Sequence, residues 1–117
     1  MKLSVVTLFP EMFSALTDWG ISGRAVKEGI VVLNYFNPRG YAKDKHRSVD
    51  DKPFGGGPGM LMKTEPLIAA IQAAKQGLGG EKGSSKVVYL SPQGRLIQHD
   101  DVVELATRQS MVLVCGR

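Results

Sequence analysis

The chain has 117 residues, with 15 Lys and Arg against 11 Asp and Glu, a formal charge of +4 and 43% apolar residues. That suits one domain with a real core. No apolar stretch approaches the roughly 20 residues that cross a bilayer, and the signal-like start meets Pro10-Glu11 with no small-residue cleavage site nearby, so a cytoplasmic protein is expected.

Lys2 to Leu8 (K-L-S-V-V-T-L), rich in β-branched and aliphatic residues and closed by Phe9-Pro10, reads as a buried first strand. Pro10 and Glu11 suit the first turn of a helix, where the missing N–H is not needed and a negative charge meets the positive end of the dipole. Met12, Phe13 and Leu16 give that helix an apolar face. A second short helix is expected over Ser22 to Lys27, stopping at Gly29. Ile30 to Phe36 is the second strand. From Asn37 to Met62 no periodicity survives, and loops of that length in a compact domain are functional or disordered. Thr64 is the expected N-cap of a helix entering at Glu65-Pro66, with Leu67, Ile68, Ile71 and Ala74 at helical spacing. Gly77 to Ser85 is low in complexity and reads as a mobile surface loop. Lys86 to Leu90 is a strand, Asp100 to Arg108 a helix with Val103, Leu105 and Ala106 inward, and Met111 to Cys115 the last strand. Cys115 is the only cysteine, which rules out an internal disulfide or a Cys-rich metal site and reads as a buried, inert thiol. His46 and His99 share no metal-ligand spacing.

Strands alternating with helices imply an α/β fold, a mainly parallel sheet with helices on both faces. Ligands of such sheets bind beyond the carboxyl ends of the strands. Two strand ends run straight into Gly or Pro turns: Leu90-Ser91-Pro92-Gln93-Gly94 and Cys115-Gly116-Arg117. Ordinary turn chemistry uses the same residues.

The densest signal is S-V-D-D-K-P-F-G-G-G-P-G-M, Ser48 to Met60. Glycine lets a backbone reach positive φ or approach a ligand closely. A flexible Gly/Ser linker would not carry an Asp-Asp pair, a Phe and a Pro, so this is read as a site loop. Arg39, Lys43, Lys45, His46, Arg47 and Lys52 lie nearby, interleaved with Tyr41 and Phe54. Basic and aromatic residues together can hold a phosphate backbone and stack on exposed bases. Asp44, Asp50 and Asp51 dilute the positive potential, so charge alone leaves a solvated loop equally open. Gly57 to Thr64 approaches the phosphate-loop pattern, but Met62 stands where its second glycine is required and no strand leads in. No dinucleotide fingerprint or serine-hydrolase elbow occurs either.

L-F-P-E-M-F at Leu8 to Phe13, G-R-A-V-K at Gly23 to Lys27, the central loop, Y-L-S-P-Q-G-R at Tyr89 to Arg95 and V-C-G-R at Val114 to Arg117 occur in that order. Together they resemble the N-terminal part of bacterial tRNA (guanine-N1)-methyltransferases, of the knotted SPOUT class, across essentially the whole chain. The resemblance implies methyl transfer from S-adenosylmethionine to N1 of the guanosine just 3′ of the anticodon, by a homodimer whose sheet contains a trefoil knot. It implies cofactor contacts at Tyr89, Leu90, Ser91, Pro92, Gln93 and Gly94, and at Gly116 and Arg117. On the tRNA side it implies Asp50 at a guanine edge beside the target and Pro58, Gly59 and Met60 close to the extracted base. Arg24, Arg39, His46 and Arg47 are candidate phosphate contacts.

Guanine N1 carries a proton that must leave. The family assigns this to an aspartate in its C-terminal part, helped by an arginine and, in reported mechanisms, Mg²⁺. Both residues would lie beyond Arg117, so no catalytic base or metal ligand is assigned here. Residues 1–117 are expected to be the N-terminal part of the cofactor-binding SPOUT domain, cut before the knot is complete, lacking a C-terminal tRNA-binding domain and inactive alone. A non-enzymatic RNA-binding module and a nucleotide-binding α/β protein are the competing classes.

Overall fold

Strands β1 (Lys2–Val6), β2 (Val32–Phe36), β5 (Lys86–Leu90) and β6 (Ser110–Cys115) form one sheet in the order β2-β1-β6-β5. Every neighbouring pair in it is parallel, with Val6 opposite Phe36 and Val114. The computed structural model describes residues 1–79 and 85–116. Helices α1 (Ser14–Thr17) and α2 (Gly20–Lys27) connect β1 to β2, α3 (Thr64–Gly77) precedes β5, and α4 (His99–Ala106) links β5 to β6.

Right-handed crossovers dictate which face each helix takes. The steps β1→β2 and β5→β6 move the same way across the sheet, whereas β2→β5 returns the other way. The α3 connection must therefore cover the opposite face from α1, α2 and α4. Side-chain alternation agrees. On one face Val6, Val112 and Val114 pack with Ala70 and Ala74 from α3 and Leu78 just after it, with Phe36 against them. On the other, Val5 and Met111 are buried and Tyr35 meets the Phe13 ring at 5.5 Å between centroids. Each fully buried valine contributes about 1.5–3 kcal/mol through removal of apolar surface from water. The expected α/β class, with a parallel sheet and helices on both faces, is borne out.

Several element boundaries differ from the sequence expectation. β2 begins at Val32 rather than Ile30, and α2 begins at Gly20. The segment from Asn37 to Met62 is not wholly irregular. It opens with a 3₁₀ turn at Pro38–Tyr41 and contains an antiparallel hairpin, β3 (Asp50–Asp51) with β4 (Leu61–Met62). Thr64 is the first residue of α3 rather than its cap; Lys63 takes the cap position with no capping side chain, held by its N–H to Val49 O at 2.6 Å. Within α3, Pro66, Ala70 and Ala74 are buried while Ile68 is half exposed. Gly77 is helical rather than part of a loop, and the rest of the Gly77–Ser85 expectation falls largely on 80–84, outside the described residues. Val103 and Ala106 face solvent, while Asp101, Glu104 and Leu105 of α4 face the edge strand β5.

Candidate functional site at the carboxyl edge of the sheet

Because the four strands are parallel, their carboxyl ends share one edge. Chain continuity brings the central segment there too: it leaves β2 at that edge, and α3 must start there to return to the beginning of β5. The two segments singled out in the sequence thus lie at the same end of the molecule.

The first is the end of β5. Tyr89 and Leu90 are its last residues, largely exposed, and Tyr89 is opposite Val114 on β6. Its ring leans over Gly116: a Cβ there would come within 2.5 Å of the Tyr89 hydroxyl oxygen and 3.0 Å of a ring carbon. Any side chain at 116 would have to displace the Tyr89 ring. Ser91 then builds the turn, its carbonyl accepting the Gly94 N–H at 3.1 Å and its Oγ accepting the Gln93 N–H at 3.2 Å. Pro92 lies between them. Arg117 is outside the described residues.

Beyond the turn, both terminal nitrogens of Arg95 donate to the Asp101 carboxylate. The same carboxylate accepts the Gln98 N–H at 2.8 Å. The Arg95 hydrogen bonds, followed by that from Gln98, hold the Asp101 carboxyl down at about 2. Glu104 is lowered chiefly by Arg108 and lies 3.6 Å from Lys86 Nζ on β5. A cavity of about 220 Å³ opens between α4 and β5, walled by Val88, Leu90, Gly94, Arg95, Ile97 and Leu105 among others. Burial pushes the Cys115 thiol up, which disfavours the thiolate and makes it a poor nucleophile.

The second segment is the central loop. Gly56 N–H returns to Pro53 O at 3.0 Å, with Gly55 between at φ 81°, as a type II turn needs at its third residue. Gly56, Gly57 and Gly59 follow at φ 86°, 111° and 91°. Phe54, Pro58, Gly59 and Met60 are exposed at the tip, and Asp50 sits half-buried at the hairpin base. The basic turn packs beside it. Asp44 accepts the Ser48 N–H, Arg47 is left-handed at φ 49°, and Arg39 Nη1 donates to Arg47 O at 3.2 Å. His46 is exposed in the same turn. Arg24 is not brought here. It pairs with Glu28 at 2.9 Å, and the neighbouring Ala25 bonds through Ile30 to Met1, which puts it at the amino edge.

Sequence reasoning missed Lys86, Arg95, Asp101 and Glu104 at the first cavity. It also missed Lys63 and Thr64, which line a cavity of about 440 Å³ with Lys43, Asp44, Ser48 and Asp51. The one readable signal was Gln98-x-x-Asp101 ahead of an apolar run, a variant of the capping-box pattern.

An open parallel α/β sheet with glycine-rich turns at its carboxyl edge defines a ligand-binding domain. The comparisons specify it further: the sequence profile of tRNA (Guanine-1)-methyltransferase TrmD matches residues 1–117, and the chain belongs to that family. It is 57% identical to the tRNA (guanine-N(1)-)-methyltransferase of Shewanella sediminis, covering all of this chain and 47% of that protein. It is 56% identical to the one from Tolumonas auensis, again over the whole chain and 46% of the relative. The crystal structure of tRNA (m1G37) methyltransferase from Aquifex aeolicus superimposes with a TM-score of 0.83 at 30% identity, covering all of this chain and 51% of that one. The architecture is thus SPOUT-like, and the chain spans about half the length of the relatives it matches.

Proposed function

We propose that this chain forms the methyl-donor-binding part of a tRNA (guanine-N1)-methyltransferase acting on the guanosine just 3′ of the anticodon. The observation that carries this reading is the meeting of Tyr89 with Gly116 at the carboxyl edge, beside the cavity next to Ser91–Gly94. These residues fit an adenosyl group. With no side chain at Gly116, only the Tyr89 ring lies over the backbone there, and the Ser91 turn is pre-formed by its own hydrogen bonds. The cavity, about 220 Å³, is smaller than the roughly 300–1,000 Å³ of complete small-molecule sites, so further walls come from outside these residues.

S-adenosylmethionine supplies, through its sulfonium, an electrophilic methyl group. Tyr89 to Gly94, with Gly116 and Arg117, bind and orient it. Asp50 accepts hydrogen bonds from a guanine edge beside the target. Pro58, Gly59 and Met60 approach the base once it is extracted from the stack, since an enzyme reaches a ring nitrogen only that way. Arg39, His46 and Arg47 bind phosphate, as would Arg24 at a more distant point of the tRNA. The N1 proton goes to a base beyond Arg117, in a full-length, cytoplasmic homodimer with a separate C-terminal tRNA-binding domain. Among the described residues no group of three or more His, Cys, Asp or Glu is placed to hold a metal ion, and the Mg²⁺ that the resemblance raises enters no step here.

The full-length gene product, incubated with tRNA and labelled S-adenosylmethionine, is expected to place label on N1 of that guanosine. The 117-residue chain alone is expected to stay at background. Label on another atom, or none from the full-length protein, would overturn the proposal. Turnover by the short chain would instead locate the base within it, with Asp50 or Asp51 the first suspect.

A further inference from the structure

The turn between β5 and α4 has little apolar packing to hold it. Leu96 is 79% exposed and Ile97 55% exposed, and α4 contributes no buried residue. What fixes it is polar: within the turn the Ser91 carbonyl and Oγ accept the Gly94 and Gln93 N–H groups, and a second set of bonds follows directly along the chain. Arg95 meets Asp101 through both guanidinium nitrogens, and the Asp101 carboxylate also takes the Gln98 N–H, so one side chain closes the chain from 95 to 101 into a ring. Beyond the end of β5 at Leu90, Gly94 and Arg95 line the same cavity as Tyr89 and Leu90. At the far end of the helix, Glu104 ties α4 to Lys86 of β5. Lys86–Glu104 is thus an ionic contact between α4 and the edge strand, and Arg95–Asp101 ties the cavity wall to the start of the helix.

We propose that Arg95 and Asp101 are positioning residues, a clasp that holds the Ser91–Gly94 turn in its cofactor-competent shape. The proposal rests on the methyl-donor reading of this turn. A solvent-exposed ion pair adds little to global stability, and the Arg95 side chain is 75% exposed. Its effect falls on the population of one loop shape. When only a fraction of molecules has the competent shape, apparent affinity drops by that fraction. A turn that is competent about one time in ten without the clasp binds about tenfold more weakly. The fork of an arginine suits the two carboxylate oxygens in a way a lysine cannot match.

The test uses the full-length protein with Arg95→Ala, Arg95→Lys, Asp101→Ala and the double alanine variant. S-adenosylhomocysteine affinity is measured by calorimetry, steady-state kinetics are followed with the donor and tRNA varied separately, and amide hydrogen exchange is followed across residues 91–98. Each single alanine variant is expected to weaken S-adenosylhomocysteine about five- to tenfold and to raise the donor KM in step. The kcat at saturating donor and the tRNA KM should hold within about twofold, the double variant should be no worse than the singles, and Arg95→Lys should fall between. Unchanged affinity in the singles would overturn the clasp. So would a normal Arg95→Ala beside a weakened Asp101→Ala, because the Gln98 bond alone would then hold the turn. If the unsubstituted protein binds no S-adenosylhomocysteine, the methyl-donor reading is what fails. Amide exchange then decides the clasp separately: faster exchange at Gln93 and Gly94 in Arg95→Ala supports it, and unchanged exchange overturns it.

Discussion

Gly59 and Gly116 are both glycines, for different reasons. At Gly116 the constraint is a neighbour, since a Cβ would run into Tyr89. At Gly59 there is open space around the Cα, and the constraint is the backbone itself at φ 91°. A β-branched side chain at positive φ costs at least about 1–2 kcal/mol, so the loop would re-route rather than accept it. Gly59→Val in the full-length protein should therefore raise the tRNA KM by about tenfold or more while leaving S-adenosylhomocysteine affinity within about twofold. Steady-state kinetics at subsaturating tRNA, paired with calorimetry, checks both halves; normal methylation would make the loop a plain connector. The need for positive φ in this loop was legible, because four glycines in five positions have few other uses. The requirement at Gly116 was not, because it depends on a ring carried by a different strand.

At the level of elements, strands were readable from their β-branched runs; β1 ends at Val6 rather than Leu8, and β2 and β6 begin at Val32 and Ser110 rather than Ile30 and Met111. The two-residue strands of the β3–β4 hairpin were invisible, since Asp50–Asp51 and Leu61–Met62 are too short to show a period. The facing of α4 was misjudged because apolar spacing decides orientation only where a helix has a broad surface to cover. Here Asp101 and Glu104 do much of that work. The Asp101 carboxyl is held at about 2, below its ordinary 3.8. A carboxyl lowered on folding stabilises the folded form fully above its unfolded value, and that contribution fades as pH falls through the folded one. The loss thus falls between about pH 4 and pH 2. The melting temperature of Asp101→Asn should lie only slightly below that of the unsubstituted protein at pH 6, because an exposed ion pair adds little to global stability, and the difference should shrink as pH drops towards 2. A gap that is constant with pH would mean the charge on Asp101 is not what ties the turn.

For the whole molecule, alternation of strands and helices predicted a parallel sheet, and parallel strands predicted a shared ligand edge. Strand order was not legible, because β2 to β5 crosses the entire sheet and nothing local in the sequence records that step. Order matters to function, since placing β6 beside β5 is what sets Gly116 under Tyr89. The central claim is that the cofactor is held where those two strand ends meet. Calorimetric titration of S-adenosylmethionine into three proteins tests it most directly: the 117-residue chain, the full-length gene product, and the full-length Gly116→Arg variant. Measurable affinity is expected in the full-length protein, far weaker binding in the short chain, whose cavity is only partly walled, and none in Gly116→Arg, where the new side chain displaces Tyr89 and fills the space. Equal affinity in all three would place the cofactor elsewhere and contradict the account.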